Sequence, residues 1–291
     1  MGGAKKIVKV TGPRGHHWVG NGFNVRQMFG YNDLGRELSP FLLLDYAGPT
    51  EFSPVENDRR GVGAHPHRGF ATVTIVYQGG VEHRDSVGNH GEIGPGDVQW
   101  MTAGAGVLHE EFHSRHFSKI GGVFEVIQLW VNLPAKQKMT PPKYQTLTAA
   151  EIPQVNLGSK ACLLRVISGE FSGRKGPAQT HTPINIWDIS LSAGSSSDLV
   201  VPSGHTSVIF CLKGDVVICD KEQVSGPSLV IFESMGQQIS LKAKTDTRLL
   251  FLGGLPLNEP MVGLGPFVMT TKEDLEQAFR DYEAGQFGSL N

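Results

Sequence analysis

Hydrophobic and polar positions in this chain follow a period of two far more often than a helical period. Ile184-Asn185-Ile186-Trp187-Asp188-Ile189-Ser190-Leu191 alternates as a half-buried strand should. Thr72-Val73-Thr74-Ile75-Val76-Tyr77 is β-branched throughout its core and stops at Gly79-Gly80. Gly94-Pro95-Gly96-Asp97 reads as a turn, and Val98-Gln99-Trp100-Met101 leaves it as a strand. Val123 to Leu133 is a further strand, stopped by Pro134, and Leu163-Leu164-Arg165-Val166-Ile167 is another. A helical pattern is expected near the end. There Thr271-Lys272-Glu273-Asp274 forms a capping box with an acidic first turn, Leu275, Ala278 and Phe279 make an apolar stripe, and Gly285 stops it.

These elements occur twice in one order. Val76-Tyr77-Gln78-Gly79, Gly94-Pro95-Gly96-Asp97-Val98 and Leu129-Trp130-Val131-Asn132-Leu133-Pro134 follow one another in the first half. Phe210-Cys211-Leu212-Lys213-Gly214, Gly226-Pro227-Ser228-Leu229-Val230 and Leu250-Phe251-Leu252-Gly253-Gly254-Leu255-Pro256 follow in the second. Strand, Gly, Gly-Pro, strand, Leu-Pro in the same sequence predicts a duplicated β-barrel. Thr140 to Pro153, with its tandem prolines Pro141-Pro142, reads as a linker. The expected fold class is therefore all-β. Two tandem antiparallel barrels occupy residues 1–140 and 141–291, the second ending in the short helix.

Composition narrows the function. The 39% hydrophobic and 19% charged fractions belong to a folded chain, and 37 glycines with 17 prolines suit many short strands. A net charge of −2, with Lys5-Lys6 and Arg59-Arg60 only as isolated pairs, argues against direct nucleic-acid binding. Phe41-Leu42-Leu43-Leu44 and the other apolar runs are too short to span a membrane, and no export signal is expected after Met1. Cys162, Cys211 and Cys219 are scattered and odd in number, which suggests a reduced, cytoplasmic setting, or the nucleus in a eukaryote.

The chemistry lies in the histidines. Seven of the eleven, His65, His67, His83, His90, His109, His113 and His116, fall between residues 65 and 116. In an extended strand, positions i and i+2 share a face, so His65 and His67 aim two imidazoles the same way, roughly 7 Å apart at the backbone. His109 and Glu111 repeat that spacing with one imidazole and one carboxylate, while Glu110 faces the other way. If the two strands share a barrel, these four groups converge on one cation. Three imidazoles and a carboxylate suit iron(II), manganese, nickel or copper(II) rather than a structural zinc. Two positions of an octahedral ion would stay open. Neutral imidazoles are required, so loading should weaken below roughly pH 6. Gly69, Gly104 and Gly106 would let the backbone bend close to the ion, and Phe70, Trp100 and Met101 are candidate pocket walls. His83, His90, His113 and His116 are left with ordinary structural roles. In the second half, Gly204-His205-Thr206 offers one imidazole and Met235-Gly236-Gln237-Gln238 no partner for it, so a single ion is expected, in the first barrel.

The run His65-Pro66-His67-Arg68-Gly69-Phe70, then Gly94 to Gly104, then Gly106-Val107-Leu108-His109-Glu110-Glu111 resembles the signature stretch of the pirins, a branch of the cupin superfamily. Phe41-Leu42-Leu43-Leu44-Asp45 and Gly265-Pro266-Phe267-Val268-Met269 resemble its flanking motifs. The resemblance implies two jelly-roll-like cupin barrels and one divalent ion on His65, His67, His109 and Glu111. Fe(II) is the first choice, with Mn, Ni, Cu or Zn as alternatives. Many members carry an acidic residue where this chain has Ala71, a loss that bears on substrate or redox tuning rather than on the ligand set. The family is similar to quercetin dioxygenases. A flavonol-like aromatic and O2 are thus the implied partners, and Glu111 the implied catalytic base. The alternative implied role is a non-catalytic, iron-dependent regulator that binds a protein partner through a redox-sensitive surface including Arg68.

Overall fold

The computed structural model describes residues 3–56, 58–158 and 162–290. Its elements are nearly all strands, joined in antiparallel pairs into two β-barrel units of the tandem cupin type. Every strand named above from the sequence pattern is present, and the helix runs Lys272–Glu283 with the Thr271 hydroxyl accepting from the Asp274 amide. Among the described residues no helix is long and apolar enough to cross a membrane.

The chain does not divide at one point. One unit takes in Leu38–Pro40, Ala150–Pro256 and the start of the chain up to Pro13. The other takes in Arg14–Glu37, Phe41–Ala149 and everything from Leu257 onward. The C-terminal helix thus belongs to the unit that carries the His-x-His pair. Lys143–Leu147, within the stretch read as a linker, is a strand of that same unit and pairs with Val98–Thr102. Its Tyr144 packs on Met101, Ala103 and Val107, and burial of that ring gives the segment a reason to order that its prolines hid.

The histidine-bearing unit has a seven-stranded sheet ordered Lys143–Leu147, Val98–Thr102, Phe70–Gln78, Gly122–Asn132, Phe41–Phe52, Phe23–Phe29 and His16–Val19. Its four-stranded sheet is ordered Gly61–His67, Val107–His113, Val81–Asp85 and His90–Ile93. The other unit repeats this plan with seven strands and four. Its outermost strand on the seven-stranded side is Ile7–Thr11, paired with Ser228–Phe232. In each unit the inward-facing side chains of alternate positions fill the interior. Phe23, Val25, Ala47, Phe52, Val76, Val81, Phe117, Phe124 and Val126 form one such cluster, and Trp187, Phe251, Ile189 and Leu249 stand at the heart of the other.

The tail from Leu257 fixes the loop after His67. Phe267–Met269 runs beside it, with the Val268 amide donating to the Arg68 carbonyl. Lys138 Nζ donates to the carbonyls of Gly69 and Val268 at 2.8 Å each and to Asn132 Oδ1 at 2.6 Å. Gly69 has φ +89°, and a Cβ there would overlap the Val268 carbonyl, so the close approach requires glycine. Arg68 is buried. Its Nη1 meets Asp281 Oδ2 at 2.7 Å, its Nε donates to the Ala105 carbonyl, and its guanidinium lies over Phe287. The surface role that the sequence allowed for Arg68 is therefore replaced by an internal one, because the C-terminal helix covers it.

Candidate metal centre

Gly61–His67 and Val107–His113 are neighbours in the four-stranded sheet, with His65 opposite His109 and His67 opposite Val107. A bulge between His109 and Glu111 shifts the register, so Glu111 stands opposite Val62. On its other side the same strand pairs with Val81–Asp85, which sets Glu111 opposite His83 and His109 opposite Asp85.

The imidazoles of His65, His67 and His109 meet, their ring centroids 4.2 to 5.0 Å apart. One ligand nitrogen from each lies within 4.8 Å of the others. Glu111 does not join that set at the same spacing. It forms a second one with His109 and His83, and His109 belongs to both. Glu110 turns to the opposite side, where Arg84 Nε donates to it at 2.6 Å.

The donor chemistry suits a cation. His67 Nδ1 and His109 Nε2 are buried with no hydrogen-bond partner among the described residues, and buried polar atoms are rarely left so without a reason. Burial, reinforced by repulsion from His65, pushes both imidazoles well below their ordinary pKa. Both are thereby held toward the neutral form, with their nitrogen lone pairs free. His65 Nδ1 lies 2.8 Å from the Gly63 carbonyl; donation there leaves Nε2 as its free nitrogen.

His83, given no special role from sequence, stands behind His109. Its Nε2 is 3.3 Å from Asp85 Oδ2 and its Nδ1 is 3.3 Å from His109 Nδ1. Burial pushes the Asp85 carboxyl up, but hydrogen bonds from His83 and Asn89 outweigh that and hold it below its ordinary value. An ionised Asp85 accepts from His83 Nε2–H. A lone pair on His109 Nε2 puts that ring's proton on Nδ1, which donates to His83 Nδ1. His109 Nε2 is that lone-pair nitrogen, the one without a partner among the described residues. The sequence signal was available: His83-Arg84-Asp85 is another i/i+2 pair, on a strand that sequence alone could not place beside His109. Gln99 completes the support, its Nε2 donating to Glu111 Oε1 at 2.9 Å and its Oε1 accepting from Tyr144 at 3.1 Å.

A cavity of about 300 Å³ opens beside the cluster. Its walls are alternate residues of adjacent strands: Phe23 and Val25, Asp45 and Ala47, then Val126, Gln128 and Trp130. His65, His67, Val62 and Glu111 face them from the other sheet, and Val19 completes the lining. It is mostly apolar with a few polar groups, the ordinary make-up of a small-molecule site. The expected walls Phe70, Trp100 and Met101 are buried but do not line it. Phe70 instead stacks on Trp130 at 4.3 Å and backs it against His67. Ala71 is buried in the sheet between Thr102 and Val131 and stays out of the cavity walls.

Fold and site together define a two-barrel cupin protein with a histidine-rich centre in one barrel. The pirin family model matches residues 22–131 and the pirin C-terminal cupin domain matches 186–288. The chain belongs to the pirin family. A crystal structure described as quercetin 2,3-dioxygenase from Acinetobacter baumannii is 52% identical, with TM-score 0.96, over 99% of this chain and 100% of that one. A Pseudomonas aeruginosa protein provisionally named as a quercetin 2,3-dioxygenase is 52% identical over 97% of this chain and 98% of its own length. Human pirin is 37% identical over 99% of this chain and 96% of its own length.

Proposed function

We propose that this chain is an oxygenase that opens the central ring of a flavonol-like aromatic with O2, using one divalent metal ion, Fe(II) first among Mn, Ni, Cu and Zn, held by His65, His67, His109 and Glu111. The observation that carries this reading is the position of the cavity: its apolar walls run up to His65, His67 and Glu111. A flat aromatic seated there would have one polar edge at the imidazoles. The two similar proteins named for quercetin 2,3-dioxygenase support the same substrate class.

When bound, the ion would supply Lewis acidity toward a substrate oxygen and redox access to O2. The chain's own residues do the rest. Val25, Ala47, Val126 and Trp130 exclude water and hold the ring system flat by apolar contact. The Asp85–His83 relay keeps the His109 nitrogen that faces the centre unprotonated, and Gln99 keeps the Glu111 carboxylate oriented.

The experiment is aerobic turnover. Purified protein loaded with iron is mixed with quercetin and the loss of flavonol absorbance is followed, beside metal-free protein and iron alone. Turnover that needs both protein and metal, and that His67→Ala removes, supports the reading; a rate no higher than iron alone rejects it. Arg68, the residue offered for a regulator's surface, is buried in an ion pair with Asp281 and lends that alternative no support.

A further inference from the structure

Phe41–Phe52 contributes Asp45 and Ala47 to the cavity wall. Asp45 lines the cavity between Val25 and Ala47 on one side and Gln128 on the other, and it is only 9% exposed. Its neighbours across the sheet are Gln27 and Gln128, neither of which is charged. Gln27 hydrogen-bonds the carboxyl group, yet Oδ1 is buried with no hydrogen-bond partner among the described residues. A carboxyl oxygen kept dry and unpartnered costs free energy, and Asp45 is the residue that Phe41–Phe52 sets beside Ala47 in the wall of a small-molecule cavity, where a ligand hydroxyl can meet its carboxyl group. Glu111, the other carboxyl on the cavity wall, differs. Gln99 holds its Oε1, Thr74 Oγ1 lies 3.2 Å from the same atom, and its proposed place is on the metal.

We propose that Asp45 is the catalytic residue that takes the proton from the substrate hydroxyl. This rests on the oxygenase reading for the reaction that follows, and it moves the base role from Glu111 to Asp45. The step balances simply. The flavonol 3-hydroxyl O–H bond breaks, its electron pair stays on the substrate oxygen, and the proton forms an O–H bond on the Asp45 carboxylate. After O2 is incorporated and carbon monoxide leaves, the same proton returns to the carboxylate of the ring-opened product. Substrate and O2 together supply every atom of the two products, and Asp45 ends ionised as it began. Burial, partly offset by the Gln27 hydrogen bond, raises the Asp45 pKa to about 7, where a carboxyl can both accept and return a proton near neutral pH. The other titratable groups lining the cavity are His65, His67 and Glu111.

The test uses Asp45→Asn, which keeps shape and removes basicity, alongside the unaltered protein, both iron-loaded. Two quantities are read: the absorption spectrum of quercetin bound without oxygen, and kcat in air. The ionised flavonol absorbs at longer wavelength than the neutral one. The expected result is an anionic bound spectrum in the unaltered protein, a neutral one in Asp45→Asn, and a kcat lower by about 100-fold. If unaltered protein turns over quercetin and Asp45→Asn binds it as the anion with unchanged kcat, Asp45 is overturned and the oxygenase reading stands. If unaltered protein binds the anion without turnover and Asp45→Asn binds the neutral form, the proton transfer stands and the oxygenase reading falls. Absence of quercetin binding to unaltered protein overturns both. A metal content equal in the two proteins, with Asp45→Glu partly restoring the anionic spectrum, separates proton transfer from a folding defect.

Discussion

Replacing His83 with leucine tests whether the ring behind the centre governs the centre itself. The His83 side chain is fully buried, 3.3 Å from His109 on one side and 3.3 Å from Asp85 on the other. Leucine fills much of the same space but cannot accept. His109 Nδ1–H then has no acceptor in a dry interior, a loss of about 1–3 kcal/mol. His109 escapes that cost by turning or by changing tautomer, and either withdraws Nε2 from the centre. Losing such an outer partner weakens metal binding by roughly 10–100-fold, or about 1.4–2.7 kcal/mol, so the two estimates agree. Titration of metal-free protein with Ni(II), followed by calorimetry, gives the affinity, and far-ultraviolet circular dichroism checks the fold. His83→Gln retains an acceptor oxygen and should lie between leucine and the parent. A folded His83→Leu protein whose Ni(II) affinity stays within about twofold of the parent would refute the relay.

Two further predictions concern stability. His113 sits among Phe52, Phe117 and Phe124, and burial, only partly offset by its Gly22 hydrogen bond, lowers its pKa from 6.5 to about 4. Between those values the unfolded chain binds the proton and the folded one does not. The contribution is therefore complete above about pH 6.5 and is lost as pH falls toward 4, a span worth about 3 kcal/mol. His113→Phe should flatten that part of the dependence in urea midpoints measured at pH 7 and pH 4.5; an unchanged difference between parent and variant at the two pH values counts against it. Gly69→Ala combines a positive φ with overlap on the Val268 carbonyl and should cost at least about 3 kcal/mol. Its melting temperature is the readout, and a value equal to the parent's would show that the tail beside His67 can give way.

Much of this protein is legible along the chain. The period-two pattern gave the strands, since a side chain's face in a strand depends only on its parity. The same parity put His65 with His67 and separated Glu110 from Glu111. The capping residues at Thr271 marked the helix because a cap is a local hydrogen bond. Parity says nothing, however, about which strands become neighbours. That Val107–His113 lies between Gly61–His67 and Val81–Asp85 is a matter of long-range pairing, and it alone turned His83 and Asp85 into supports for His109. The bulge that moves Glu111 toward Val62, the return of the Leu257 tail to the loop after His67, and the dry setting of Asp45 arise in the same way. Burial and pKa depend on what the rest of the chain places around a residue, and only the folded packing decides that.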